Sequence, residues 1–426
     1  MRISTSQIFD FGAKGIGQNQ YDLFKLQNQL STGRKVLTPE DDPIASAQAL
    51  VLSQSQQLAG QYIKNQDDAK GKLSVLEGNL VGVGDLLQSV RERLVQAGNT
   101  TLSNADRNYI AQELEARFSE LMGLANTQDG AGNYLYSGYK SEVKPFAVAP
   151  GGAAYYGDEG LRMLQVDASR QLPTNLSGSE VFERIREGNG TFVTATSGNL
   201  GGGINQGSGV IDQGSVTNLS AWNAAVNAGY GDLEIRFSVA AGTTTYEIYD
   251  VSSNTSLSGA PQTFTPGQSI TLAKLTAPAQ DFGASVVLSG APANGDKFTV
   301  TQSANQSIFE TLRSAVTLLN GGIGSVAGGN SSTEFANDLA GVLQNIDQAL
   351  ENVNKSRSTV GSYLKEIDAL ANTNEDRQLQ YATSLSELQD LDYTKAITDM
   401  SKKQLQLQAA QLSFKQTSQL SLFSIL

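Results

Sequence analysis

In LAGVLQNIDQALENVNKSRSTVGSYLKEIDAL, residues 339–370, apolar or small side chains recur at Leu339, Val342, Ile346, Ala349, Val353, Ser356, Val360, Tyr363, Ile367 and Leu370, stepping alternately by three and four. That alternation is the seam of a coiled coil. Beyond Gly361 neither glycine nor proline occurs to the end of the chain. The spacing therefore predicts one helical arm over residues 339–426 with nothing local to break it. A helix of that length is marginal alone and needs a partner.

A stretch of matching period lies towards the other end. Ile44, Ala47, Val51, Ser55, Leu58, Tyr62, Asn65, Ala69, Leu73, Leu76, Leu80, Val83, Leu87, Val90, Leu94 and Ala97 repeat the steps of three and four, and from Leu73 onward every position is apolar. One continuous helix over this span is about 80 Å long. Gly71, Gly78, Gly82 and Gly84 lower its propensity, so packing must compensate, and their small size suits close approach of a second helix. The two chain ends are thus expected to pair while the residues between them loop out. Ahead of the long pattern, Ile16, Leu23, Phe24, Leu26 and Leu30 mark a weaker helix that Ser31, Thr32 and Gly33 stop. Residues 34–43 form an irregular connector whose second proline, Pro43, suits the first turn of the next helix. The adjacent carboxylates Asp41 and Asp42 read as a cap there, because sequence neighbours do not face each other on a helix as an acid pair would. Ser103 and Asp106 resemble a capping box, opening a shorter helix through Ile110, Leu114, Phe118, Leu121 and Leu124.

The character changes at Asn126. Of 43 glycines, 29 lie between residues 131 and 330, which makes this a region of strands and turns. Residues 133–139 (NYLYSGY) read as an aromatic strand entering a hairpin. Further short strands are expected at residues 161–166, 233–239, 244–249, 270–272, 284–288 and 297–301. The glycine-rich residues 201–209 read as a flexible loop with neither a preceding strand nor a lysine, so they make no phosphate cradle. Gly12, Gly15 and Gly17 lack dinucleotide-fingerprint spacing as well. Ile308, Phe309, Leu312, Val316 and Leu319 restore a helix, and a glycine-rich link at residues 321–330 leads back to the arm. The expected class is α+β: long terminal helices paired as a coiled-coil-like bundle, with a β-rich insertion between them.

Composition narrows the function. With 30 basic and 42 acidic residues the net charge is −12, leaving no basic surplus for nucleic acid. Residues 1–35 and 395–426 each carry +3, so the body holds −18. There is no cysteine and no histidine, which excludes disulfides, thiolate catalysis, histidine triads and histidine metal ligands. No apolar run reaches bilayer length. Carboxylate pairs at Asp67-Asp68 and Asp158-Glu159 read as solvated surface rather than as catalytic acids. No enzymatic activity, cofactor or metal is expected.

Both outermost ends are polar, glutamine-rich and thinly amphipathic. Residues 403–408 (KQLQLQ) even alternate like a strand, but their flanks carry no breaker and favour helix. Such ends bury too little within one molecule to offset the entropy of ordering them, so they are expected to fold against copies in neighbouring subunits.

Residues 30–45 (LSTGRKVLTPEDDPIA) and 90–99 (VRERLVQAGN) resemble signature segments of the bacterial flagellin superfamily. The opening MRIST, Pro43, the YLYSGY of residues 134–139 and the closing LSLFSIL of residues 420–426 are similar to the branch found where hook meets filament. The resemblance covers roughly the first 140 and last 100 residues. It implies a structural flagellar protein, extracellular after export through the flagellar type III apparatus without a cleaved signal, that joins the hook to the flagellin filament. The alternative it leaves open is the filament subunit itself. Implied partners are sister copies in a ring, a neighbouring hook-associated protein, flagellin, and a cytosolic export chaperone on the C-terminal helix, with no nucleic acid and no membrane insertion. The implied organisation has inner-tube helices at residues 1–33 and 386–426, a connector at 34–43, helical-domain halves at 44–130 and 306–385, and an outer β domain at 131–305, with two subdomains split near 190 as the alternative. Assembly residues carried over are Ile16, Leu23, Phe24 and Leu30 on the N-terminal side and Leu385, Leu388, Ile397, Met400, Leu405, Leu407, Leu412 and Phe414 on the C-terminal side. A third class of function, adhesion through residues 190–305, is compatible with composition.

Overall fold

A computed structural model describes residues 5–324 and 331–419. Its helices are α1 (Thr5–Thr32), α2 (Pro43–Ala97), α3 (Asn104–Ala125), α4 (Gly178–Phe182), α5 (Leu219–Asn227), α6 (Ile308–Gly321), α7 (Ser332–Gln389) and α8 (Tyr393–Gln419). Gly33 ends α1 in the left-handed region at φ +72°, where its N–H still reaches Gln29 O at 2.9 Å. Pro43 opens α2 as expected, and Asp42 caps it by accepting from the Ile44 and Ala45 N–H groups at 3.1 and 2.9 Å. Asp41 does something else. One of its oxygens accepts from the Leu37 and Thr38 N–H groups, and the other pairs with Lys25 at 2.6 Å, so it clamps the connector rather than the helix. The Lys25 bond holds the Asp41 carboxyl down at about 2.

The chain divides into two compact units. One comprises α3 to α6, the strands beyond residue 171, the second part of α2 from Asp68 and the first part of α7 to Ile367. Here Ala69, Leu73, Leu76, Leu80, Val83, Leu87, Val90, Leu94 and Ala97 are all buried to within 1% of complete, as are Ile346, Ala349, Val353, Val360 and Ile367 on α7. Fully burying each leucine or valine contributes about 1.5–3 kcal/mol, which outweighs the glycines of α2. Ion pairs Glu77–Arg357 (3.6 Å) and Arg91–Asp347 (2.6 Å), with Gly98 under Leu339, make the two helices antiparallel. Of Gly71, Gly78, Gly82 and Gly84, only Gly82 lies against another helix, through Leu124; the rest face open space. The Ser103–Asp106 capping box is present on α3. Beside it Arg107, 2% exposed, donates to Ala97 O, Asn99 O and Leu102 O, closing the C-terminus of α2.

The second unit holds α1, α8, the first part of α2, residues 165–170 and α7 from Asp368. Two expectations fail in it. The early part of the α2 seam is not buried: Ile44, Val51 and Leu58 are 72, 63 and 45% exposed, while the alanines Ala45, Ala49 and Ala59 turn inward. Nor is the C-terminal arm continuous. At residues 390–392 Asp390 bridges Arg34, the Lys35 N–H donates to Gln389 O (2.7 Å) and the Leu391 N–H to Gly33 O (2.9 Å). Asp392 then caps α8 by accepting from the Lys395 N–H. The connector supplies the partners that helix continuation would have supplied, so the break needs no glycine or proline.

Small hairpins precede the main β region: β1 (Phe146–Ala149) with β2 (Gly152–Tyr155), and β3 (Met163–Asp167) with β4 (Arg170–Pro173). Residues 133–139 are not a strand. They form turns around Gly138, at φ +70°, with the fully buried Tyr136 donating its hydroxyl to Asn79 Oδ1 at 2.7 Å. Tyr136, Phe182, Phe146, Phe309 and Phe118 follow one another edge to face or tilted at centroid separations of 5.0–5.8 Å, tying α3, α4 and α6 together.

The chain leaves the helical frame through β5 (Ile185–Arg186) and returns through its antiparallel neighbour β16 (Asn305–Gln306). Between them lie β6 (Phe192–Asn199), β7 (Val210–Ile211), β8 (Ser215–Val216), β9 (Leu233–Ala240), β10 (Thr243–Asp250), β11 (Thr255–Ser256), β12 (Gln262–Thr263), β13 (Ser269–Lys274), β14 (Gln280–Ser289) and β15 (Asp296–Gln302). One antiparallel sheet runs β11-β10-β9-β15-β6 with β12 on β10; the other runs β13-β14-β7 with β8 on β14. Phe237, Phe298 and Val300 of the first and Leu272, Phe282, Val286 and Leu288 of the second share one core with Trp222 of α5. Strand β6 and helix α5 were not anticipated. The loop at 201–209 is irregular as expected but anchored: the buried Asp296 accepts from the Gln206 and Gly207 N–H groups at 2.8 and 2.9 Å.

Candidate assembly interface

Helices α1 and α8 pack side by side, and the stepping of their contacts shows how. Phe9 meets Phe414 edge to face at 5.7 Å, Asp22 pairs with Lys403 at 2.8 Å, and the Gly33 backbone sits under the Tyr393 hydroxyl. As one number rises the other falls, so the helices form an antiparallel hairpin. Phe9, Ile16, Leu23 and Leu30 recur every seven residues on α1, and Tyr393, Met400, Leu407 and Phe414 do so on α8. A β-carbon on Gly12 would lie 2.7 Å from Phe414 Cδ2, so any larger residue there would push that ring aside. The hydrogen bond from Lys403 lowers the Asp22 carboxyl pKa.

This arrangement separates the anticipated residues into two sets. Ile16, Leu23, Leu30, Met400, Leu407 and Phe414 are half-buried. Leu385 and Leu388, also half-buried, lie at the end of α7. Phe24, Ile397, Leu405 and Leu412 are 68, 52, 68 and 59% exposed. On α8 the exposed set lies about 120° round the helix from the half-buried set, at 100° per residue. The sequence reading grouped both together because alternate leucines in KQLQLQ supply two faces at once. Beside Phe9, Gly12, Ile16 and Phe414, a largely apolar groove of about 290 Å³ opens between the two helices.

Further exposed apolar residues lie outside the anticipated assembly set. Phe11 and Tyr21 on α1 are 74 and 66% exposed, and Leu379 on α7 is 67% exposed. Ile44, Val51 and Leu58 recur every seven residues on α2, within a stretch, residues 43–63, that carries no charged side chain. Depletion of charge with retained apolar periodicity is the composition of an interface core, not of a solvated helix. The periodicity was legible; which molecule it faces was not.

Among the described residues no group of three or more acidic side chains could hold a metal ion. Asp158 fixes a turn by accepting from the Tyr139 and Gly160 N–H groups, and Glu159 pairs with Arg184. No described helix is long and apolar enough to cross a membrane. The arrangement can bind other helices.

The model of the bacterial flagellin N-terminal helical region matches residues 3–141, and that of the bacterial flagellin C-terminal helical region matches residues 343–426. Flagellar hook-associated protein 3 of Salmonella typhimurium is 42% identical over 185 residues, 43% of this chain and 58% of that protein. The match thus spans a little over half the length of that curated relative. Flagellin B of Vibrio cholerae is 24% identical over 93% of this chain and 90% of its own. Among solved structures, the flagellar junction protein FlgL from Legionella pneumophila superposes with a TM-score of 0.67 at 28% identity, covering 80% of this chain and 100% of that one. FlgL of Xanthomonas campestris gives 0.65 at 28% identity, with 79% and 99% covered.

Proposed function

The chain belongs to the bacterial flagellin family, and on that premise we propose that it is a structural protein of the flagellar hook–filament junction, acting through its terminal helices and not as an enzyme. The observation that carries this reading is the apolar surface of α1, α8 and early α2, sequence-periodic yet open in the single chain. Hydrophobic residues at that spacing are satisfied by neighbouring helices, and a ring of sister copies supplies them. The junction role is preferred to that of filament subunit because the chain spans solved junction proteins end to end at higher identity than it shows to flagellin B.

In this reading residues 1–33 and 386–426 line an inner tube, 34–43 connect, 44–130 with 306–385 form a surrounding helical layer, and 131–305 project outward. The exposed face of α8, with Ile397, Leu405 and Leu412, packs on sister copies after delivery and is held by a cytosolic export chaperone before it. A neighbouring hook-associated protein and flagellin meet the two ends of the ring outside the cell, after type III export. The test is to add purified protein to filament seeds. It should cap the seeds or accept flagellin without elongating by itself; long homopolymers would overturn the junction role in favour of the filament subunit.

A further inference from the structure

Three asparagines of α7 hold the chain at successive levels: α4 ahead of the neck, the neck itself, and β7 of the insertion. Asn337 accepts from the Ile211 N–H (2.9 Å) and donates to Gly209 O (3.1 Å), gripping the start of β7. Asn345 accepts from the Gly188 N–H (2.8 Å) and donates to Gln306 Oε1 (2.8 Å), gripping the outgoing and returning strands of the neck at one point. Asn352 donates to Glu180 O and Val181 O (2.9 and 3.0 Å), gripping α4. All of these residues lie in one compact unit. The intervals of eight and seven residues keep the three within about 80° of arc and spread them over about 22 Å of helix. That stripe lies about 100° round α7 from its apolar seam, so the same helix packs its frame with one face and holds the insertion with another.

We propose that Asn337, Asn345 and Asn352 form a docking rail that fixes the direction in which the β-sandwich projects, separately from what folds the sandwich. The separation follows from the core. Phe192, Trp222, Phe237, Phe282 and Phe298 bury one another within the sandwich itself. The covalent link to the frame is only the two-strand neck β5–β16. A narrow neck leaves rotation free unless side contacts arrest it, and the rail supplies six hydrogen bonds around it: two to the start of β7 in the sandwich, two at the neck and two to α4 on its frame side. Amides suit this task because each offers donor and acceptor to backbone groups that a loop leaves unpaired. Loss of the rail therefore loosens orientation before it loosens fold.

The chain carries a single tryptophan, Trp222, 2% exposed inside the sandwich, so its emission reports on that domain alone. In the full-length triple variant Asn337→Ala, Asn345→Ala, Asn352→Ala, time-resolved anisotropy of Trp222 should gain a faster nanosecond component absent from the parent. The emission maximum and the helical circular dichroism should stay unchanged. An unaltered anisotropy decay would overturn the proposal, since the sandwich would be held by other contacts. So would a red-shifted emission, since the asparagines would then be part of the sandwich fold. Should the triple variant lose helical signal, Asn345→Ala alone is read by hydrogen exchange: Gly188 should lose protection while the amides of β9 and β15 keep theirs, and equal loss in both refutes the rail.

Discussion

Replacing Arg107 by methionine tests the most unusual junction of the helical frame. The guanidinium is buried and donates to Ala97 O at 3.3 Å, Asn99 O at 3.0 Å and Leu102 O at 2.7 Å, and it lies over the Phe335 ring at 5.1 Å. Methionine keeps much of the volume but leaves the last carbonyl of α2 and two carbonyls of the turn that follows it without that donor. Charge-assisted bonds are worth about 1.5–3 kcal/mol each, and the cost of burying the charge, which the substitution removes, offsets part of the sum. A net loss of about 3–5 kcal/mol is expected. At 2–4 °C per kcal/mol for a unit of this size, that lowers Tm by roughly 10 °C. Thermal unfolding followed by circular dichroism measures it, with Arg107→Lys as an intermediate case that keeps the charge and loses the planar fork. A Tm within about 1 °C of the parent would refute the assignment of this side chain as the closing element of α2.

Other consequences are open to direct measurement. Tyr136→Phe should destabilise by about 1–2 kcal/mol in urea unfolding, because Asn79 Oδ1 loses its 2.7 Å donor in a dry site; Asn79→Ala should cost no less. Leu405→Asp with Leu412→Asp, both on the exposed face of α8, should leave the monomer melting curve unchanged while abolishing sedimentable assemblies on seeds. Burial, reinforced by the nearby Glu334 charge, raises the Asp338 carboxyl to about 6, so between about pH 4 and 6 the folded chain binds more protons than the unfolded one. Stability from this group is therefore full below pH 4 and lost as pH rises through 6, and Asp338→Asn should flatten that portion of the Tm profile. Acidification from pH 5 to 2 should loosen the connector through Asp41, whose lowered pKa gives the opposite sign: protection of the Leu37 and Thr38 amides is kept above pH 4 and lost towards 2.

Much of this architecture follows from the order of residues alone. The seven-residue recurrence from Leu73 to Ala97 and from Leu339 to Ile367 dictates long helices and their shared apolar seam, because a 3.6-residue period leaves no other way to bury those positions together. Gly33, Pro43, Asp42 and Ser103 set element boundaries by local backbone chemistry, and the strands at 233–240, 243–250 and 296–302 announce themselves by alternation. What periodicity cannot carry is the identity of the partner. Ile44, Val51 and Leu58 obey the same rule as Leu73 and Leu80, yet they face outward, because burial is a property of what stands opposite. The break at residues 390–392 depends on hydrogen bonds with Gly33, whose carbonyl accepts, and Lys35, whose N–H donates, more than 350 positions away, and Arg107 gains its meaning only where α2 ends beside α3. The asparagine stripe on α7 likewise looks like ordinary solvated surface until α4, the neck and the start of β7 arrive at its three levels. Local sequence specifies the elements since their energies are short-ranged; tertiary contact alone selects which polar and apolar groups are satisfied within the chain and which are left for a neighbour.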